Sequence, residues 1–294
     1  MNGTIKEKVI WGTPSFWMNV LPLYYGKEKG FFLEQGIDLE IEYLHGGPEL
    51  LRAVQEEKIQ MGTIGLPPFS KAFAEGLPAK IIGSAIMRRL KYYVVARPEI
   101  QTMTDLKGKK IGILSFGSCD EYFIRRMLEM EGVNPNTEIE LVSLGDCFGD
   151  LNCFAAGQID AGFIGEPKVT QGEHLGLFKV LARVGDYFPK YQWGVIFARN
   201  DFIEKQPELL ARILEGFRNA CRDIQENPEE TIELGSKLFD MSTEVFRKAL
   251  HRDLANWEVD AKVDIEGLNN CLKIQAEAGA ITCDIGNLEM VCHL

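Results

Sequence analysis

The chain has 294 residues, enough for two modest cores, since domains run to roughly 100–200 residues. Hydrophobic residues at 46% and charged residues at 26% exclude a disordered or low-complexity polymer. A net charge of −11 excludes the basic face with which proteins displace counterions from a phosphate backbone, so no nucleic-acid partner is expected. No apolar run approaches the roughly 18 residues of a membrane span. Residues 1–8 lack the basic start and apolar stretch of a signal peptide. The expected location is therefore the cytoplasm if the chain is complete as given, and the periplasm or cell surface if an export signal was removed. Seven cysteines, Cys119, Cys147, Cys153, Cys221, Cys271, Cys283 and Cys292, form no C-x-x-C pair and fit neither a zinc ribbon nor a full disulfide framework.

The first half alternates β-type runs with helical segments. Val9 to Gly12 reads as a strand, and Leu21 to Gln35 as a helix that Gly36 ends. Leu39, Ile41 and Tyr43 alternate with acidic neighbours, the pattern of a half-buried strand. Gly46, Gly47 and Pro48 turn the chain into an amphipathic helix over 49–59, and strands follow at 61–66 and 79–86. Strands separated by single helices imply mostly parallel sheets covered on both faces.

From Tyr92 the pattern restarts. A β run leads through 105–110 into a strand at 111–114, a helix over 118–131, a strand at 140–144, a helix near 150–157, and strands at 161–164 and 178–184. Residues 193–198 are again β-like. Everything later is helical, most clearly at 206–225, 231–239, 243–254 and 265–278. The expected architecture is α/β and two-lobed. Lobe 1 is discontinuous, 1–95 plus 199–294, lobe 2 is 96–198, and two hinge strands join them around a ligand cleft.

Several phrases are shared with a known group. The run 22–32, PLYYGKEKGFF, followed by QGIDL at 35–39, resembles the opening helix and strand of the alkanesulfonate and thiamine-precursor group of solute-binding proteins. DLKGKKIG at 105–112 resembles that group's phrase at the start of its second lobe, and GQIDA at 157–161 and GEP at 165–167 are similar to two more of its motifs. The resemblance covers nearly the whole chain in order. It implies a type II periplasmic-binding-protein fold that captures a small organic ligand, pyrimidine-like, sulfonate or carboxylate, by hinge closure for ABC-type import. The implied partners are that ligand and a membrane permease, and the expected state is a monomer.

Ligands of open α/β sheets sit beyond the carboxyl ends of the strands. That rule selects Thr13, Ser15, Phe16 and Trp17 after the first strand, where aromatic faces offer stacking. It also selects His45, Gly46 and Gly47, whose helix N-terminus favours an anion, and Leu66 and Pro67, which shape the cleft. In the second half it selects Phe116, Gly117, Ser118, Cys119 and Asp120, where a helix begins, and Glu166. Arg88 and Arg89 follow the fourth strand and read either as a counter-ion for an anionic ligand or equally as surface charges near the hinge, and Trp193 opens the returning hinge strand. Ser118 reads equally as a plain N-cap and Phe16 and Trp17 equally as helix packing.

Catalysis is the competing expectation, in the form of a cytosolic lyase, decarboxylase or thiamine-pyrimidine-related enzyme acting on an aromatic or heterocyclic acid. Its only assembly is Cys119, His45 and Arg88. The aromatic sulfinate desulfinase, which resembles this group, uses a cysteine in the loop after its first strand, where this chain has Thr13, Pro14 and Ser15. The fungal-type enzyme that makes the thiamine pyrimidine carries a cysteine-rich run and sacrifices a histidine. Here no cysteines are adjacent, and His45, His174, His251 and His293 are scattered. The chain also lacks a phosphate loop, a metal-binding H-E-x-x-H helix and a G-x-S-x-G turn. A binder without cofactor or metal is the favoured expectation.

Overall fold

The structure is a computed structural model that describes residues 6–86, 91–145, 151–254, 257–277, 279, 281 and 287–292. Two five-stranded sheets carry the fold. The first has the order β2-β1-β3-β10-β4, with β1 at Glu7–Thr13, β2 at Ile37–Tyr43, β3 at Met61–Gly65, β4 at Ala79–Ser84 and β10 at Gly194–Arg199. The second has the order β7-β6-β8-β5-β9, with β5 at Tyr92–Ala96, β6 at Lys110–Ile113, β7 at Glu140–Ser143, β8 at Ala161–Gly165 and β9 at Lys179–Arg183.

The sheets share one plan. β1, β2 and β3 run parallel, as do β6, β7 and β8. In each sheet the fourth position holds an antiparallel strand that arrives from the other half: β10 lies between β3 and β4, and β5 between β8 and β9. Each sheet is therefore mixed but mostly parallel, with four strands running one way and the crossing strand alone running the other. The expected boundaries at 95 and 198 also fall on the wrong side of these two strands. Residues 92–95 pair in the second sheet and 194–198 in the first, so the chain changes sheet before each crossing strand.

Local sequence explains most elements. In β2, Ile37 and Leu39 are buried while Asp38, Glu40 and Glu42 face solvent, which pins its register against β1 with Trp11 opposite Ile41. The expected single helix over 21–35 is two helices, Leu21–Lys29 and Phe31–Glu34, because Gly30 takes φ 88 and terminates the first. The long helix Pro207–Glu226 returns to cover the first sheet, where Phe217 stacks on Trp11 with ring centroids 5.5 Å apart. The helix Thr243–Leu254 reaches toward the second sheet, and its Arg252 meets Glu173 of the helix Lys168–His174 at 2.8 Å. Among the described residues no helix is long and apolar enough to cross a membrane.

Candidate functional site

The loops leaving β1, β2, β4 and β6 and the end of β3 converge with the start of β5 and with Trp193 and Gly194 on one cleft. Its walls are aromatic. Tyr92 is central, with ring centroids 4.9 Å from Trp17, 4.6 Å from Trp193 and 4.9 Å from Phe163. The Trp193 Nε1 donates to the Tyr92 hydroxyl at 3.2 Å, which satisfies both buried polar tips and fixes the two rings. Gly165 permits this wall: a Cβ there would lie 2.8 Å from Tyr92 and 3.0 Å from Trp17.

Polar groups are few. Asn19 lines the cleft; its Nδ2 donates to the Ser15 hydroxyl at 3.4 Å, and its Oδ1 is buried with no hydrogen-bond partner. Asp120, 4% exposed, accepts the Leu114 amide on Oδ2 and the Ser118 hydroxyl on Oδ1. Burial pushes its carboxyl up to about 6 against those donors. Ser118 sits at the N-cap of the helix Cys119–Met130, but its side chain makes no capping bond and turns instead to Asp120 and the Ser115 carbonyl. The described lining contains no basic side chain.

Of the residues selected from sequence, Ser15, Trp17, Gly47, Ser118, Cys119, Asp120 and Trp193 come together here. The other described ones do not line the cleft. Thr13 is fully buried and donates to the Ser15 carbonyl at 3.1 Å. Phe16 packs among Tyr24, Tyr43 and Phe239, on the opposite side of the chain from Trp17. His45 is exposed, its ring against Tyr43 and its amide donating to Glu49, and Gly46 forms the turn before it enters the helix Gly47–Gln55. Leu66 is a core side chain whose amide donates to the Trp193 carbonyl at 2.8 Å. Phe116 points to solvent, and Pro67 and Gly117 line a neighbouring hollow. Arg88 and Arg89 lie outside the described residues.

Glu166 is buried outside the lining. Its carboxylate accepts the Thr170 amide at 3.1 Å and the Thr170 hydroxyl at 3.0 Å, and Arg252 stands 3.3 Å away. Desolvation outweighs these partners and pushes it up to about 7. The catalytic assembly is not formed among the described residues: the exposed His45 is not part of the cleft lining, and burial together with the Asp120 charge pushes the Cys119 thiol well above its ordinary range. No described group of three or more His, Cys, Asp or Glu is arranged to hold a metal.

Sequence reasoning missed Asn19, Thr63, Tyr92 and Phe163. Tyr92 had a usable signal, because it opens β5 as Trp193 precedes β10, so the two crossings present matching aromatics. The others were hidden by strand phase and by a 3-10 turn at Met18–Val20.

A cleft between the strand ends of two sheets that exchange a strand apiece, closed by aromatics from both crossings, defines a solute-binding protein. The chain belongs to the NMT1/THI5 like family, which matches residues 17–231. Over 237 residues it is 28% identical to a Brucella abortus (strain 2308) protein named as a candidate binding protein, covering 80% of this chain and 69% of that one. It is 26% identical over 204 residues to the taurine-binding periplasmic protein of Escherichia coli (strain K12), covering 68% and 61%. In fold it is similar to the alkanesulfonate-binding protein SsuA of Xanthomonas axonopodis pv. citri bound to MOPS, with TM-score 0.82, 17% identity and 99% of each chain covered.

Proposed function

We propose that the chain captures a flat, amine-bearing small molecule between two lobes and delivers it to the permease of an ABC importer on the outer side of the cytoplasmic membrane. One observation carries the choice of ligand: the buried Asn19 Oδ1, an acceptor without a donor, lines an aromatic cleft that also holds the Asp120 carboxylate and no described basic side chain. A buried acceptor left unpaired costs on the order of 1–3 kcal/mol, and a ligand N–H removes that cost. Trp17, Tyr92 and Trp193 supply faces for a planar ring. The taurine-binding and SsuA relatives support the transport role, while the polar set here favours a ring amine over a bare sulfonate.

Each lobe is built on one sheet, and closure bends the chain where it passes between the sheets, ahead of β5 and ahead of β10. The protein works as a monomer, since the cleft is complete within one chain. The test is a thermal-shift screen of aminopyrimidines and aromatic amines against sulfonates and carboxylates that lack an amine, followed by calorimetry on the hits. A ring amine bound in the micromolar range and weakened about tenfold in Asn19→Leu supports the reading. Tight binding of a simple sulfonate that is indifferent to Asn19 overturns it.

A further inference from the structure

A second hollow, of about 620 Å³, opens beside the cleft and meets it at Pro68 and Ser118, which line both. It spans the two halves of the molecule, from the helix Leu66–Ala74 to the helix Cys119–Met130. Its chemistry differs from that of the cleft. Four groups matter: Lys71, Glu121, Tyr122 and Arg125.

Glu121 and Arg125 neutralise each other. Arg125 Nε donates to Glu121 Oε1 at 2.9 Å, its Nη1 donates to the Pro135 carbonyl and to Asn136, and Glu121 Oε2 accepts the Gly117 amide at 2.7 Å. Lys71 is then the surplus charge. It makes no ion pair or hydrogen bond among the described residues, although acidic residues outnumber basic ones in the chain by 43 to 32. The Tyr122 hydroxyl is buried and also has no partner among the described residues. A hollow with one uncompensated cation and one idle hydroxyl donor is matched by an oxyanion, which accepts from both.

We propose that this hollow is an anion-recognising extension of the cleft, so that the ligand is bipartite: a flat amine head in the aromatic cleft and a short tail ending in a carboxylate, sulfonate or phosphate at Lys71 and Tyr122. The head-and-tail statement rests on the reading of the cleft given above; the anion subsite itself does not. A bipartite ligand bridges the two sheets, and the Lys71 contact forms fully only when the halves are close.

The subsite is tested on the full chain with tail fragments alone, methanesulfonate, acetate and methylphosphonate, by following the backbone amide resonances of Lys71, Gly117 and Tyr122. Saturable shifts at tens of millimolar, abolished in Lys71→Met and restored in Lys71→Arg, are expected, and the tightest fragment identifies the anion. Silence at all three amides overturns the subsite whether or not any amine binds the cleft. The second arm compares an aminopyrimidine with the same ring carrying a short alkyl tail that ends in the selected anion. A gain of about fivefold to tenfold that vanishes in Lys71→Met is expected, and equal affinities overturn the bipartite ligand. Failure of the aminopyrimidine itself, with fragment shifts intact, rejects the cleft reading and leaves the anion subsite standing.

Discussion

The amide nitrogen of Met18 donates to the carbonyl oxygen of Glu166 at 2.9 Å, which stitches the loop after β1 to the loop after β8. The two loops extend from different sheets. The side chain of Glu166 continues the connection through Thr170 and Arg252, and beside it Asp253 faces the buried Lys91 at 3.4 Å and accepts from Trp257 at 2.8 Å. One buried polar cluster thus ties the second sheet to the first crossing and to the helix Thr243–Leu254. Burying such charges is costly, and desolvation raises the carboxyls of Glu166 and Asp253 and lowers the Lys91 ammonium.

Stability should fall as pH rises through the range below neutrality. Below the ordinary value of 4.5 Glu166 is protonated in both folded and unfolded chains; between 4.5 and about 7 only the folded chain keeps the proton. The folded state therefore loses stability with rising pH across that window, by about 3 kcal/mol in total. Asp120 acts with the same sign between 3.8 and about 6. In urea melts at pH 5 and pH 8, Glu166→Gln should remove the larger part of the difference. An unchanged pH slope in that variant rules out Glu166 as its source.

The aromatic wall should divide into ring and hydrogen-bond contributions. Trp193→Phe keeps a ring but deletes the donor to Tyr92, costing about 1 kcal/mol of stability and a modest share of affinity. Trp17→Ala removes a stacking face, and about tenfold or more in affinity should go with it. Calorimetry on both variants checks the order, and quenching of tryptophan fluorescence should report ligand in the wild type.

Gly165→Ala should be disproportionately harmful for a single methyl. The added carbon would lie 2.8 Å from Tyr92 and 3.0 Å from Trp17, so the Tyr92 ring or the end of β8 must shift and Trp17 must give slightly. A loss of about 1–3 kcal/mol is expected, together with weaker ligand binding. A variant with wild-type melting temperature and affinity shows that the wall is not held by this contact.

Cys119 should behave as a shape-determining side chain, not a nucleophile. Its thiol pKa is raised by burial and by Asp120, so iodoacetamide at pH 8 should label it slowly in the native protein and readily after unfolding, as read by peptide mass spectrometry. Cys119→Ser should retain ligand binding. Rapid native labelling contradicts the raised pKa.

The parts of the fold legible in the sequence are those set by local pattern. The alternation of Leu39 and Ile41 with acidic residues marked β2, and the helix expected at 243–254 is Thr243–Leu254. The exchange of β5 and β10 between sheets was not legible, because pairing partners far apart in sequence leave no trace in periodicity. In the cleft, the loops were identifiable but the facing of each side chain was not. Trp17 lines the cleft while Phe16 packs away from it, and Ser15 lines it while Thr13 is turned inward. Asp120 and Glu166 were both placed as ligand carboxylates, yet only Asp120 lines the cleft. The outer hollow left even less signal, since Lys71 is one surface lysine on a helix until Tyr122 is seen across from it.

The exchange of strands also orders the assembly of the chain during synthesis. All five strands of the second sheet have been made once residue 183 has emerged. In the first sheet β3 and β4 are not neighbours, and the gap between them is filled only by Gly194–Arg199. A nascent chain therefore completes the later half before the earlier one, the reverse of the usual N-terminal-first order. The segment made first waits with an open sheet until β10 arrives.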